Sequence, residues 1–180
     1  YPLSEAEKKK LNTHKVQRNN KLVEVSIPES DVEETEEDNP SLPRESYQVQ
    51  ALIADIGAQM GMQIWVPVND RNIVRSFMVE SESSLLDHLP INFNDATLRT
   101  IEQIDVIWMK KRTIIRAFEV EHTTSIYSGI LRMADLVSMQ PNLDIKIHIV
   151  APNEREEKVI REIQRPVFAY LDRGPLPEDC

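Results

Sequence analysis

Cysteine is almost missing from this chain: of 180 residues only the last, Cys180, carries a thiol. An internal disulfide framework is therefore excluded, and a reducing cytoplasm is the expected compartment. Neither cysteine nor histidine falls into a zinc-ligand spacing. The four glycines form neither a GxxxxGK[ST] loop nor a GxGxxG turn, so a nucleotide cofactor is not expected. Ser128-Gly129 lacks the preceding glycine of a G-x-S-x-G nucleophile elbow. No apolar run approaches the roughly 20 residues that span a bilayer. The Lys-rich N-terminus has no apolar segment of the kind a secretory leader carries. The chain begins at Tyr1 rather than Met, and reads as a piece of a longer protein.

Charge is present but uneven. The net value of −9 argues against a general nucleic-acid coat. Residues 1–21 carry six bases and two acids, Glu24 to Asp38 eight acids and no base, and residues 39–180 twenty acids and fifteen bases. An acidic remainder can still hold DNA where its bases cluster and a cation offsets its carboxylates.

The apolar fraction of 41% fits one globular domain with an appendage. Residues 1–21 read as a short charged helix, and Glu24 to Pro43, acidic and proline-bearing, as a flexible linker. The expected division is residues 1–43, a domain over 44–173, and a tail over 174–180. From Tyr47 the apolar positions repeat near 3.6 residues up to Gly61, predicting a helix of about fifteen residues. Met62 to Val68 reads as a strand, and residues 72–100 as a short helix and an insertion. Strands are expected at 102–109 and 113–121, joined by a turn over Met109 to Thr113. A helix follows from about Ser125 to Met139, then the alternating strand Leu143 to Ala151. An amphipathic helix after Pro152 and an edge strand over Val167 to Leu171 complete the order. Such alternation predicts an α/β fold, with helices on both faces of a sheet.

Within that order, three acids stand out. Asp105 lies in Ile104-Asp105-Val106-Ile107-Trp108, and Glu119 and Glu121 bracket Val120 at the end of the next strand. A hairpin brings Asp105 toward the second strand's end, and two residues of spacing put Glu119 and Glu121 on one face. Carboxylates set in apolar strands are costly unless paired or coordinating. Three together at one edge suit a hard divalent cation, Mg²⁺ or Mn²⁺; the plain alternative is a set of solvated strand ends.

The order α-β-β-β-α-β with acids on the second and third strands resembles the PD-(D/E)XK nuclease superfamily, over Glu45 to Leu171. The segments Ile104 to Trp108, Ala117 to Leu136 and Ile149 to Pro152 also look like an uncharacterised restriction-endonuclease-like group. The resemblance implies a mixed central sheet flanked by helices and metal-dependent hydrolysis of DNA phosphodiesters. Asp105 matches the family's metal-binding Asp, and Glu119 the first acid of its (D/E)-x-K half. Glu121 stands where the family usually has Lys, which leaves the base open: Glu121 could take the proton of the attacking water or help hold a second ion. The Val120 carbonyl is a further expected ligand. On the first helix the family often places an acid or Gln near the site, and Gln48 is favoured over Gln50.

Other residues keep two readings. His122, Thr123, Thr124 and Ser125 could contact phosphate at a helix N-terminus, or simply precede and cap that helix. Arg132 could neutralise a phosphate, though an intrahelical pair with Asp135 is the expected outcome. Lys110, Lys111 and Arg112 read as a solvated turn or a phosphate patch. The rival to a nuclease is a non-catalytic domain of the same fold that binds protein or nucleic acid, which Glu121 and the acidic charge favour. A homodimer and a missing upstream domain are both open, and no membrane partner is expected.

Overall fold

The computed structural model describes residues 13–18, 21–26, 41–79, 82–93, 95–121, 126–139 and 145–169. The elements are β1 (Thr13–Arg18), β2 (Lys21–Ser26), α1 (Ser41–Gln59), β3 (Gln63–Trp65), α2 (Arg71–Phe77) and α3 (Asp95–Glu102). They continue with β4 (Val106–Lys110), β5 (Thr113–Val120), α4 (Ile126–Met139), β6 (Lys146–Val150), α5 (Glu156–Ile163) and α6 (Pro166–Ala169). β1 and β2 pair antiparallel as a separate hairpin, and the other four strands form one sheet in the order β3-β4-β5-β6. β4 pairs antiparallel with both β3 and β5, whereas β5 and β6 are parallel. The fold is therefore α/β with a four-stranded mixed sheet flanked by helices, consistent with the restriction-endonuclease-like core.

Two apolar layers hold the sheet. On one face Ile107, Ala117 and Ile147 pack with Ile130, Met133 and Leu136 of α4. On the other, Val106, Trp108, Phe118 and Val120 pack with Ala51, Ile53 and Ala54 of α1. Full burial of each large aliphatic side chain contributes about 1.5–3 kcal/mol, so the two layers dominate the stability of the domain. Trp108 is also fixed by its indole N–H, which donates to the Ile53 carbonyl at 3.2 Å. The outer edge of β3 is covered by a parallel bridge from Ile64 to Leu85 and by the Leu86 amide on the Ile64 carbonyl, which blunts an otherwise open edge.

α1 ends as its sequence predicts. Gly61 takes φ +75°, the Met62 amide reaches the Gly57 carbonyl and the Gly61 amide the Ala58 carbonyl, the paired bonds of a Schellman termination.

Several expectations are corrected. The N-terminal charged segment is not a helix over its described part: residues 13–18 form β1. Val16, Val23 and Val25 favour extended backbone. The linker expected over Glu24 to Pro43 overlaps described elements at both ends: residues 24–26 belong to β2 and α1 starts at Ser41. α3 runs to Glu102, so the strand expected over 102–109 begins only at Val106, and Asp105 precedes it. The turn is just Lys111 and Arg112, with Lys111 at φ 58°. Pro166–Ala169 is helical where an edge strand was expected; Pro166, with no N–H and its φ already helical, suits a first helical position.

Candidate functional site

A bulge in β5 decides where its acids point. Lys110 pairs with Thr113 and Met109 with Ile114, but Trp108 pairs with Arg116, so Ile115 is the extra residue. Side chains alternate strictly along a strand, so one extra residue exchanges the faces of everything beyond it. Ile114 lies in the α4-side layer, and beyond the bulge it is Ala117 that joins that layer, while Phe118 joins the α1 side. Glu119 consequently faces α4.

Glu119 is fully buried. Arg132, from the second turn of α4, forks it: Nε donates to Oε1 at 2.9 Å and an Nη to Oε2 at 2.5 Å. The expected pairing of Arg132 with Asp135 is replaced by this bond across elements, because Arg132 lies on the flank of α4 that approaches β5. Glu121, also buried, accepts the Gly129 amide at 3.1 Å while its own amide donates to the Val150 carbonyl at 2.8 Å. A Cβ at Gly129 would strike Glu121 Oε1 and stand 3.1 Å from Glu119 Oε2. Asp105 accepts the Val120 amide on Oδ2 at 2.7 Å, which ties the approach to β4 across to the end of β5.

All three carboxyls are raised, chiefly because burial disfavours the charged form. Asp105 moves up to about 6 although the Val120 amide and Arg132 oppose the shift, and Asp70 adds to it. Glu119 moves up to about 8 in spite of Arg132, with the Asp105 and Glu121 charges contributing. Glu121 is raised by burial and then by Asp105, against Arg132, the Gly129 amide and Arg155. The Arg132 guanidinium, held by Glu119, is shifted further upward.

Asp70, Tyr47 and Arg155 join this neighbourhood without any signal in the sequence pattern. The Tyr47 hydroxyl donates to Asp70 Oδ1 at 3.4 Å and is raised by burial, by Asp70 and by Asp105. Gln48, the favoured glutamine of the first helix, is exposed, whereas Gln50 is 3% exposed and its Oε1 has no partner. Gln50, not Gln48, shares the inward face of α1 with Ala51 and Ala54. Val120 is buried by its side chain on the α1 side. His122, Thr123, Thr124 and Ser125 lie outside the described residues.

Residues 26–179 match the family model described as the type II restriction enzyme NmeDI C-terminal domain. The chain belongs to this family. Within the NmeDI C-terminal domain family, the type II restriction enzyme NmeDI of Neisseria meningitidis serogroup C is 31% identical over 145 residues. That alignment takes in 74% of this chain but 40% of the relative, so the chain spans well under half of the enzyme it matches. No solved structure matches. The family match begins at the last residue of β2 and therefore takes in the whole four-stranded sheet and every acid described above, leaving the β1–β2 hairpin almost entirely outside it.

In chemistry the oxygen donors suit a hard cation: all three carboxyls are raised by burial, Glu119 and Glu121 also by Asp105, and Asp105 also by Asp70. Among the described residues, no three acids or imidazoles are already gathered around one point, and both oxygens of Glu119 are engaged by Arg132. No described helix is long and apolar enough to cross a membrane.

Proposed function

We propose that this chain is the nuclease domain of a restriction-type enzyme, of the PD-(D/E)XK kind, hydrolysing DNA phosphodiesters with Mg²⁺ or Mn²⁺. One observation supports the reading: Asp105, Glu119 and Glu121 lie in one neighbourhood at the open end of the β4–β5 hairpin, all three with raised pKa values, and Arg132 forks Glu119 there. Buried acids without a full set of counter-charges cost stability that a domain built only for packing has no reason to bear. The name of the NmeDI relative supports the reaction class.

Asp105, Glu119 and the Val120 carbonyl would hold the ion. When bound, the cation polarises a phosphoryl oxygen and acidifies a water. Glu121, raised by burial and by Asp105, is suited to accept a proton there. Arg132 brings positive charge to the place where the resemblance leads one to look for Lys, and it keeps Glu119 oriented. Gln50 replaces Gln48 as the first-helix candidate.

A second reading, a non-catalytic DNA- or protein-binding domain, is favoured by the Arg132–Glu119 fork itself, which occupies both oxygens of one ligand. Supercoiled and linear duplex DNA incubated with the chain and Mg²⁺ or Mn²⁺ separates the two. Under the nuclease reading, Asp105→Asn lowers cutting on the order of 10²-fold or more, the scale of removing one electrostatic group from a site, while retaining fold and DNA retention in a gel. Absence of cutting by the wild type with either metal, together with unchanged retention in Asp105→Asn, favours the binding domain.

A further inference from the structure

In a chain of net charge −9, a face that gathers bases and no acid calls for a physical account. The α1 side of β4, β5 and β6 is such a face. Trp108 and Phe118 pack there, and strand alternation puts Lys110, Arg116, Lys146 and His148 on the same side. In the ladder Arg116 stands between Trp108 and Lys146, and His148 stands beside Phe118. Glu119 is the one acid within these three strands, and it faces α4 instead. α1 packs on β3, β4 and β5, whereas α4 covers β5 and β6 from the opposite side. Lys110 and Lys146 are exposed, and Arg116 and His148 half-buried. The half-buried pair is held in place: Arg116 Nη1 donates to His148 Nε2 at 2.8 Å, and the imidazole stacks on Phe118 with centroids 4.7 Å apart. That bond requires a neutral imidazole, in keeping with a His148 pKa lowered by burial and by Arg116. A guanidinium has five N–H donors, so one bond to His148 leaves Arg116 able to hold a further acceptor. Like charges side by side on neighbouring strands repel, and a polyanion laid along them removes that cost.

We propose that Arg116 and Lys146, flanked by Lys110 and His148, grip the phosphate backbone of duplex DNA beside the acids. The proposal rests on the DNA-related part of the proposed function and not on hydrolysis. Val150 pairs with Val120 at the end of the sheet where the acids lie, and Lys146 stands four residues back along β6, about 13 Å away. Over that length one strand of a duplex presents roughly four phosphates, spaced by about 3.4 Å of helix axis. Arg116 can fork a phosphate and Lys146 supplies a point charge to the next. Contacts of this kind hold and orient a duplex without reading its sequence. The face lacks the apolar centre that a protein partner would bury, whereas its charge is complementary to a polyanion.

Fluorescence anisotropy of a labelled duplex of about 20 base pairs, titrated with the chain in EDTA over about 50 to 300 mM salt, tests it. Without metal the result is independent of cleavage. Arg116→Gln/Lys146→Gln should weaken binding at least ~10-fold at about 100 mM salt and make the slope of log affinity against log salt shallower by about 2. Lys146→Gln alone, at an exposed position, should make it shallower by about 1 and serves if the double variant loses its circular dichroism. Arg99→Gln removes an exposed charge on α3 and should leave the slope as in the wild type. A wild type that does not bind the duplex at about 50 mM salt overturns the proposal, and so does an Arg99→Gln loss as large as that of the double variant. A slope unchanged by the double variant also overturns it; cleavage that persists beside that result would leave the nuclease reading standing.

Discussion

Glu119 has no exposure to water, yet its one strong partner, Arg132, is bound on both oxygens. Removing a carboxylate from solvent costs more than one guanidinium returns, so the group is raised to about 8. Asp105, raised to about 6, behaves likewise. The unfolded chain has ordinary acids that ionise near 4, so between about pH 4.5 and 8 the native state binds more protons than the unfolded one. Stability then falls as pH rises through that window. Thermal unfolding should give a Tm lower by ~5 °C or more at about pH 8.5 than at about pH 6, and Glu119→Gln should flatten most of the slope; a Tm that climbs with pH would refute the assignment. That Glu119 and Glu121, both buried, share one face was legible from their two-residue spacing. The partner of Arg132 and the inward glutamine were not, because the rotation of α1 and α4 about their own axes is set by packing rather than by spacing.

At the level of elements, the hairpin carries the acids and α4 closes over them. Ile115 is one residue more than the ladder needs, and it turns Glu119 toward α4; the consecutive Ile114-Ile115 is its only trace in the sequence, and it reads equally well as a plain buried strand. α4 then meets Glu121 at Gly129, where any side chain would collide with the carboxylate. Gly129→Ala should raise intrinsic helix propensity by up to about 1 kcal/mol, but the methyl must displace Glu121 and break its bond from the Gly129 amide. We expect a net destabilisation of roughly 1 kcal/mol or more in urea unfolding, and loss of any cleavage activity out of proportion to it. A Gly129→Ala protein more stable than wild type would show that α4 yields and Glu121 stays in place. Element types were readable where periods were long, as in α1, α4 and β6. They failed for residues 13–18, where charge masked Val16, and at Pro166, where a short apolar run fits strand and helix alike.

The whole molecule couples its stability to whatever neutralises this edge. A cation bound by Asp105 and Glu119 competes with the protons those groups hold, so binding must release protons and strengthen with pH. It also relieves the ionised state that destabilises the fold at high pH, and stabilisation follows occupancy. Millimolar Mn²⁺ should therefore raise Tm more at about pH 8 than at about pH 6, reversing part of the pH-dependent loss. Glu24 to Asp38, with eight acids and no base, offers a separate attraction to divalent ions. Asp105→Asn/Glu119→Gln distinguishes the sources within one experiment: a Mn²⁺ effect that survives it belongs to the acidic stretch, and one that disappears together with its pH dependence belongs to the end of the β4–β5 hairpin.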